Sequence, residues 1–356
     1  MHEFWLGKKV FITGHTGFKG SWLSLWLQNL GAEITGFALA SPTNPSLFNL
    51  AKVESGMASI VGDVRDLGSL KRELICSNAD IVFHMAAQPL VRESYNNPVE
   101  TYSTNVMGTV NLFEAIRSCS SVAAVINITT DKCYENREWI WGYREDDTLG
   151  GHDPYSNSKA CSELITSAFR KSFFNSSGID GQKVAVASAR AGNVIGGGDW
   201  SKDRLIPDII RALVSGERVT IRNPSSIRPW QHVLDSLSGY LILAQRLYEF
   251  GDAYAEAWNF GPSPEDAKNV AWVAERLVNI WGGGSILNAN NIVQQHEASY
   301  LKLDTTKSQN RLNWRAQLSL EEALSLVVDW SKKLHEEDVR KTTINQINQY
   351  QSLLNM

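Results

Sequence analysis

The sequence is short of the features that would take it out of a reducing, aqueous compartment. Among 356 residues there are only four cysteines, Cys76, Cys119, Cys133 and Cys161. None forms a CxxC pair or a zinc-ligand spacing, so neither a disulfide framework nor a metal site is expected. No apolar run approaches the roughly 20 residues that a bilayer requires; Ile81-Val82-Phe83 is typical of the short ones. Met1 to Lys9 carries no leader-peptide pattern. A formal net charge of -4 gives no general attraction to nucleic acid or to a membrane surface. No internal repeat and no low-complexity linker stands out. These absences place the expected protein in the cytoplasm.

What is present is an ordinary globular balance, 43% hydrophobic and 20% charged. The length suits one large α/β domain with a second lobe. Lys9–Thr13 reads as a buried strand, followed by a glycine-rich turn and a helix over Ser21–Leu30 that stops at Gly31. Further strands are expected at Ala32–Leu39, Ser59–Val61, Ala79–Met85, Ala123–Thr129 and Val184–Ala189. Long helices are expected at Val99–Ser118 and Pro154–Ser172. Strands alternating with helices predict a doubly wound, Rossmann-type parallel sheet, with ligands at the carboxyl ends of its strands. From Arg190 the texture turns to loops and tryptophans: Trp230, Trp258, Trp272, Trp281 and Trp314. We divide the chain into 1–189, a dinucleotide-binding domain, and 190–356, a smaller mixed α/β lobe. Part of 230–260 is expected to return to the first. Lys332 to Met356 reads as a polar terminal helix with no evident chemistry.

The turn Gly14-x-x-Gly17-x-x-Gly20 follows a strand and opens a helix. Glycines let a backbone approach a pyrophosphate, and a helix N-terminus offers free N–H groups and partial positive charge. Asp63, after the third strand, is placed to bond an adenine amino group; a solvated turn residue is the plainer alternative. Phe37-Ala38-Leu39-Ala40-Ser41 ends the second strand without the acidic residue that commonly holds the NAD ribose. It also has no arginine for a 2′-phosphate, which favours NAD over NADP.

Tyr155 and Lys159 lie one helical turn apart and so share a face. A phenol beside an ammonium suits hydride chemistry at a carbinol carbon. Asp131-Lys132 adds a second acid–amine pair, which suggests chemistry besides hydride transfer.

With these residues the chain resembles the extended short-chain dehydrogenase/reductase family over its whole length. The resemblance rests on Gly14, Gly17 and Gly20, Asp63, His84-Met85-Ala86-Ala87-Gln88, Thr104-Asn105-Val106-Met107-Gly108-Thr109, Thr129-Thr130-Asp131 and Tyr155/Lys159. More specific segments, among them Thr130-Asp131-Lys132-Cys133-Tyr134, Gly196-Gly197-Gly198-Asp199-Trp200 and Arg228-Pro229-Trp230-Gln231-His232-Val233, resemble its nucleotide-sugar 4,6-dehydratase branch. The implied substrate is CDP-glucose, a preference that rests on resemblance alone. The implied product is its 4-keto-6-deoxy derivative, for deoxysugar supply to surface polysaccharide.

The resemblance implies roles. Tyr155 takes the sugar O4 proton, Lys159 lowers the tyrosine pKa and bonds the nicotinamide ribose, and Thr130 positions O4. Asp131 is the acid toward the C6 hydroxyl. Lys132 is the C5 base, made neutral by burial and by Lys159; orienting the sugar or pairing with Asp131 is its alternative. NAD is implied to contact Gly14, Gly17, Phe18, Gly20, Asp63, Val64, Ala86, Ala87, Asn105, Thr129, Tyr155 and Lys159. Gln88, Asn193, Arg204, Arg228 and Tyr300 are implied on the substrate side. Surface ion pairing is the alternative for Arg204 and Arg92, and simple packing for Tyr300 and His84. A homo-oligomer, dimer or tetramer, is implied through the helices near Val99–Ser118 and Pro154–Ser172. Two competing readings are a nucleotide-sugar 4-epimerase, which needs no C5/C6 acid–base pair, and a non-catalytic NAD-binding protein on the same fold.

Overall fold

The computed structural model describes residues 2–174, 183–288 and 300–354. Seven parallel strands form the central sheet: β1 Lys9–Thr13, β2 Glu33–Ala38, β3 Ala58–Val61, β4 Ile81–His84, β5 Ala124–Ile128, β6 Ala185–Ala191 and, much later, β10 Ala257–Phe260. Their spatial order is β10-β6-β5-β4-β1-β2-β3. The order reverses between β1 and β4, so a crevice opens beyond the carboxyl ends of those two strands. Strands β4 and β5 are buried at every position, as a sheet covered on both faces demands.

Three further strands, β7 Asn193–Ile195, β9 Ile227–His232 and β11 Ala267–Asn269, make a small mixed sheet, and β8 Val219–Ile221 pairs with β12 Ile286–Asn288. The Leu205–Val214, Val270–Trp281 and Leu320–Lys333 helices share one apolar cluster with these strands. Trp258 and Trp314 instead join the core of the central sheet. The Val233–Phe250 helix also packs there, supplying Leu237, Tyr240 and Leu241.

Local chemistry explains where elements begin. The helix Pro154–Ser172 has the expected bounds, because Asp153 caps it through the Ser156 N–H and Pro154 suits its first turn. The helix after β1 starts three residues earlier than expected, at Phe18, directly on the glycine turn. The expected Val99–Ser118 helix is interrupted: a π turn at Ser103–Met107 separates Pro98–Tyr102 from Gly108–Arg117. The expected terminal helix from Lys332 is also corrected. Lys332 and Lys333 close the preceding helix, and a new one runs Val339–Leu354, where Asp338 accepts the Lys341 N–H at 2.8 Å.

Candidate active site

Gly14 has φ +77, and a Cβ there would stand 2.7 Å from the Ala86 nitrogen. The turn is therefore pressed against the end of β4, where the Thr13 hydroxyl accepts the Met85 and Ala86 N–H groups. Gly20 is equally constrained, since its Cβ would overlap the Gly14 carbonyl. Gly17 differs: its Cβ would meet only the Gly14 oxygen, at 3.4 Å. It starts the helix without a side-chain cap, leaving first-turn N–H groups for an anion. These residues fit the diphosphate of a dinucleotide. Phe18 turns its ring toward Gly196.

At the far edge of the crevice, Asp63 takes a bidentate contact from Arg65 (2.6–3.0 Å), which holds its carboxyl below the usual range. Val64 is buried under Gly108. The π turn aims Asn105 inward, where it accepts the Gln88 N–H at 2.8 Å and donates to the Gln88 carbonyl and the Ser158 hydroxyl. Gln88 uses its own amide on Leu90 and Thr101, so its side chain shapes the Ala86–Leu90 segment. His84 has Thr13 on one ring nitrogen (2.7 Å) and Thr109 on the other (3.4 Å). Burial, with Lys159 nearby, pushes it down to about 3: a neutral, packed histidine.

The residues expected to react meet beyond β5. A 3-10 turn, Asp131–Cys133, directs Asp131 and Cys133 inward and leaves Lys132 half-buried. The Thr130 hydroxyl donates to Asp131 Oδ1 at 3.0 Å. Burial drives the Tyr155 phenol up to about 12, against the neighbouring Thr130 hydroxyl and the Arg204 charge. Lys159 points its ammonium at the Ile128 carbonyl, 3.2 Å away. Burial lowers it to about 8, with Glu163 acting in the other direction. The Arg204 charge acts on Tyr155 in the direction expected of Lys159. Asp131 is raised by burial, against Lys132, Thr130, Arg228 and Lys19. Its Oδ2 has no hydrogen-bond partner and faces Gly192, where a Cβ would come within 3.0 Å.

Burial of Lys132 was the expectation; the structure leaves it half-buried, with its charge acting on Asp131. Lys19, from the glycine turn, is also half-buried and also acts on Asp131; its Nζ donates to the Tyr240 hydroxyl at 3.3 Å. Neither residue carried a role in the sequence reading. The available signal was a lysine between Phe18 and Gly20, where an apolar residue would pack more cheaply. Also unforeseen is the support behind Thr129. Its hydroxyl donates to Glu163 (2.5 Å), which also receives Ser188 and Arg190. Burial would raise Glu163, but Arg190 and these donors hold it below its usual value. Arg190 continues to Tyr134, whose hydroxyl reaches Asn259.

On the second lobe, β7 lies beside β9, bringing Asn193 opposite Trp230 and Arg228 near Asp131. Arg228 is buried and donates to the Ile227 carbonyl. Arg204 contacts Asp199 at 3.1 Å while its charge is felt at Tyr155. Arg92 is in a surface pair with Asp203, its plainer alternative. Tyr300 bridges to Ile227, next to Arg228; the adjoining His296-Glu297-Ala298-Ser299 lies outside the described residues. Among the described residues no group of three His, Cys, Asp or Glu side chains is placed to hold a metal, and no helix is long and apolar enough to cross a membrane.

The chain is 54% identical over 353 residues to a CDP-glucose 4,6-dehydratase of Salmonella typhimurium, covering 98% of each. A dTDP-glucose 4,6-dehydratase from Streptomyces venezuelae, solved with NAD, superposes with a TM-score of 0.78 at 23% identity, covering 91% of this chain and 97% of that one. A UDP-glucose 4-epimerase from Thermotoga maritima superposes almost equally well, with a TM-score of 0.77 at 21% identity, over 92% and 99%. These two likenesses establish the shared fold and do not separate the two chemistries. The sequence pattern of the GDP-mannose 4,6 dehydratases matches residues 11–327, and the chain belongs to that family.

Proposed function

We propose that the protein converts CDP-glucose to CDP-4-dehydro-6-deoxyglucose and water, with NAD as a cofactor that is regenerated in each turnover. The observation that carries this reading is Asp131, fully buried at the end of the crevice that holds Tyr155 and Lys159, bonded to the Thr130 hydroxyl and with one oxygen unpartnered. When bound, NAD accepts the C4 hydrogen with its electron pair and later returns it to C6. The protein's share is the movement of protons. Tyr155 receives the O4 proton as phenolate, the form that burial opposes and that the Arg204 charge and Lys159, one helical turn away, support. The new C4 carbonyl acidifies the C5 hydrogen, which Lys132 removes. Asp131, whose affinity for a proton burial raises, protonates the C6 hydroxyl as it leaves as water. Lys132 then returns its proton to C5. Tyr155 has gained one proton and Asp131 has lost one. Thr130 lies between them and offers the path that restores both.

The 54% relative supports the cytidine nucleotide, and Arg228 and Arg204 offer two cations for the sugar diphosphate. An epimerase would leave Asp131 without a task, although it is buried in this site with one oxygen unpartnered. A cytoplasmic location and a role in deoxysugar supply for O-antigen lipopolysaccharide go with this reading. So does a homodimer or homotetramer: Val99, Met107 and Leu164 are exposed on the two helices expected to pair.

The test is incubation with CDP-glucose, dTDP-glucose, GDP-mannose and UDP-glucose, each with NAD, following the alkali-induced absorbance of 4-keto-6-deoxy products. Signal with CDP-glucose alone is expected. Signal with another nucleotide overturns the substrate, and an inverted C4 without a keto product makes the protein an epimerase. If Lys132→Ala still exchanges solvent hydrogen into C5 at an undiminished rate, Lys132 is not the base.

A further inference from the structure

Tyr155, Lys159 and Glu163 stand four apart on the Pro154–Ser172 helix, so they share one face, and all three are buried. A helix commonly meets a sheet through apolar side chains, whose attraction has no preferred direction and tolerates small slips. Here the seam is polar. Along three successive residues of β5 and its end, Asn127 donates to Ser162 and Thr166, the Ile128 carbonyl accepts from Lys159 at 3.2 Å, and the Thr129 hydroxyl donates to Glu163 Oε1 at 2.5 Å. The next two residues are Thr130 and Asp131.

Glu163 does more than continue the seam. Its Oε2 accepts from Arg190 at 2.9 Å and from Ser188 at 2.6 Å, both on β6. Arg190 then donates to the Tyr134 hydroxyl at 2.7 Å and lies over the Tyr134 ring. Thr129 and Tyr134 are the residues that flank the turn from Thr130 to Cys133. One carboxylate thus pins both ends of the segment that carries Asp131 and Lys132, the front end directly and the far end through Arg190. Stability does not explain such a device. Glu163 and Arg190 are each 3% exposed, and a buried ion pair commonly holds a fold no better than apolar residues of the same volume. Directional bonds supply register instead.

We propose that Glu163 is a positioning residue. It fixes the turn that bears Asp131 to the helix that bears Tyr155, and so sets the separation between the group that takes the O4 proton and the group that serves the C6 hydroxyl. The proposal rests on the dehydratase reading above, in which both groups act on one sugar. It also predicts which step suffers when the tie is cut. Tyr155 and Lys159 stay together on their helix, so oxidation at C4 continues. Asp131 drifts with the loosened turn, so loss of water from C6 lags behind.

The experiment compares variants of the full chain, each supplied with NAD and CDP-glucose. Glu163→Gln would leave the Arg190 charge buried and unpaired and lose stability for that reason alone, so smaller cuts decide. Thr129→Val removes the front tie, Tyr134→Phe the far one, and Ser188→Ala a bond to the same carboxylate from outside the turn. Thr129→Val should lower kcat by about tenfold or more, the scale of a misplacement of less than an ångström. Its KM and its dissociation constant for NAD should stay within about twofold of the wild type. Reduced dinucleotide, followed by absorbance in a single turnover, should build up and decay slowly. Tyr134→Phe should show the same pattern more weakly, since Arg190 stands between it and Glu163. Ser188→Ala should lose as much melting temperature as Thr129→Val, yet turn over at the wild-type rate with no such build-up. Equal slowing in Ser188→Ala would make the network merely structural and overturn the proposal. So would a loss of NAD affinity in Thr129→Val that matches its loss of kcat, which would make Thr129 a cofactor contact. Slow turnover without accumulated reduced dinucleotide, or unchanged turnover in both Thr129→Val and Tyr134→Phe, would overturn it too. A wild type that releases no 4-keto product would instead overturn the dehydratase reading itself.

Discussion

The two ends of the crevice handle a carboxylate in opposite ways. At the Asp63 end the carboxyl is partly solvated and fully satisfied, with Arg65 clamped across both oxygens. At the Tyr155 end Asp131 is 1% exposed and has one oxygen with no partner. The first arrangement stabilises a charge and fixes it. The second leaves the charged form uncomfortable, which a group that must give up and regain a proton requires. Asp235 supplies a control for this contrast. It too is buried with an unpartnered Oδ2, but its neighbours are Tyr350 and the Gln317 N–H, away from the sugar chemistry.

The largest effect should come from the buried end. Tyr155→Phe removes only the hydroxyl and should cut kcat by about 10³-fold, within the range of lost general acid–base catalysis. Dinucleotide affinity, measured by titration, should change less than about threefold, since one neutral hydrogen bond is the most it loses. A comparable loss of affinity would mean that Tyr155 mainly binds. Next, Asp131→Asn should lower turnover by about 10²-fold or more while raising the melting temperature, because a costly buried carboxyl has gone. A variant that is both less active and less stable would show that Asp131 is structural.

Asp235→Asn sharpens the same point without touching activity. Burial raises Asp235 to about 7. The folded chain therefore binds this proton more tightly than the unfolded chain, whose carboxyl titrates near 3.9. Stability from this group is full below about pH 4, declines as pH rises, and is lost above pH 7. At pH 8 the asparagine variant should be more stable by about 1–3 kcal/mol, and at pH 4 the difference should close; denaturant melts at both pH values test this. The smallest effect belongs to the exposed end. Arg65→Ala should cost under about 1 kcal/mol in stability, as exposed pairs do. NAD affinity would fall sharply only if Arg65 itself meets the cofactor.

The sequence made some of this legible and hid the rest for identifiable reasons. The turn after β1 could be read because glycine is required there: Gly14 sits at positive φ against a neighbouring backbone. The Pro154–Ser172 helix could be read to the residue because Asp153 and Pro154 are local signals. The π turn at Ser103–Met107 has no such signal; it follows from Asn105 reaching both Gln88 and Ser158, partners far away in the chain. Lys132 was expected buried because the resemblance makes it the C5 base, and the turn at Asp131–Cys133 leaves it half-buried. The Lys19–Tyr240 contact was missed because it joins helices more than two hundred positions apart. The expected features came from local chemistry, and the corrections came from tertiary contacts.

The Val339–Leu354 helix returns to the first one: Asn29 reaches Asn348, 319 positions later, and Arg340 reaches Gln28. Tyr350 covers Trp26 edge-on at 5.7 Å and closes over Asp235. On the ribosome, the helix that opens with the glycine turn therefore emerges early and waits for most of the chain to be made before its outer face is covered. Until residues 339–354 are made, the face of this helix that carries Trp26 lacks the cover that Tyr350 gives it.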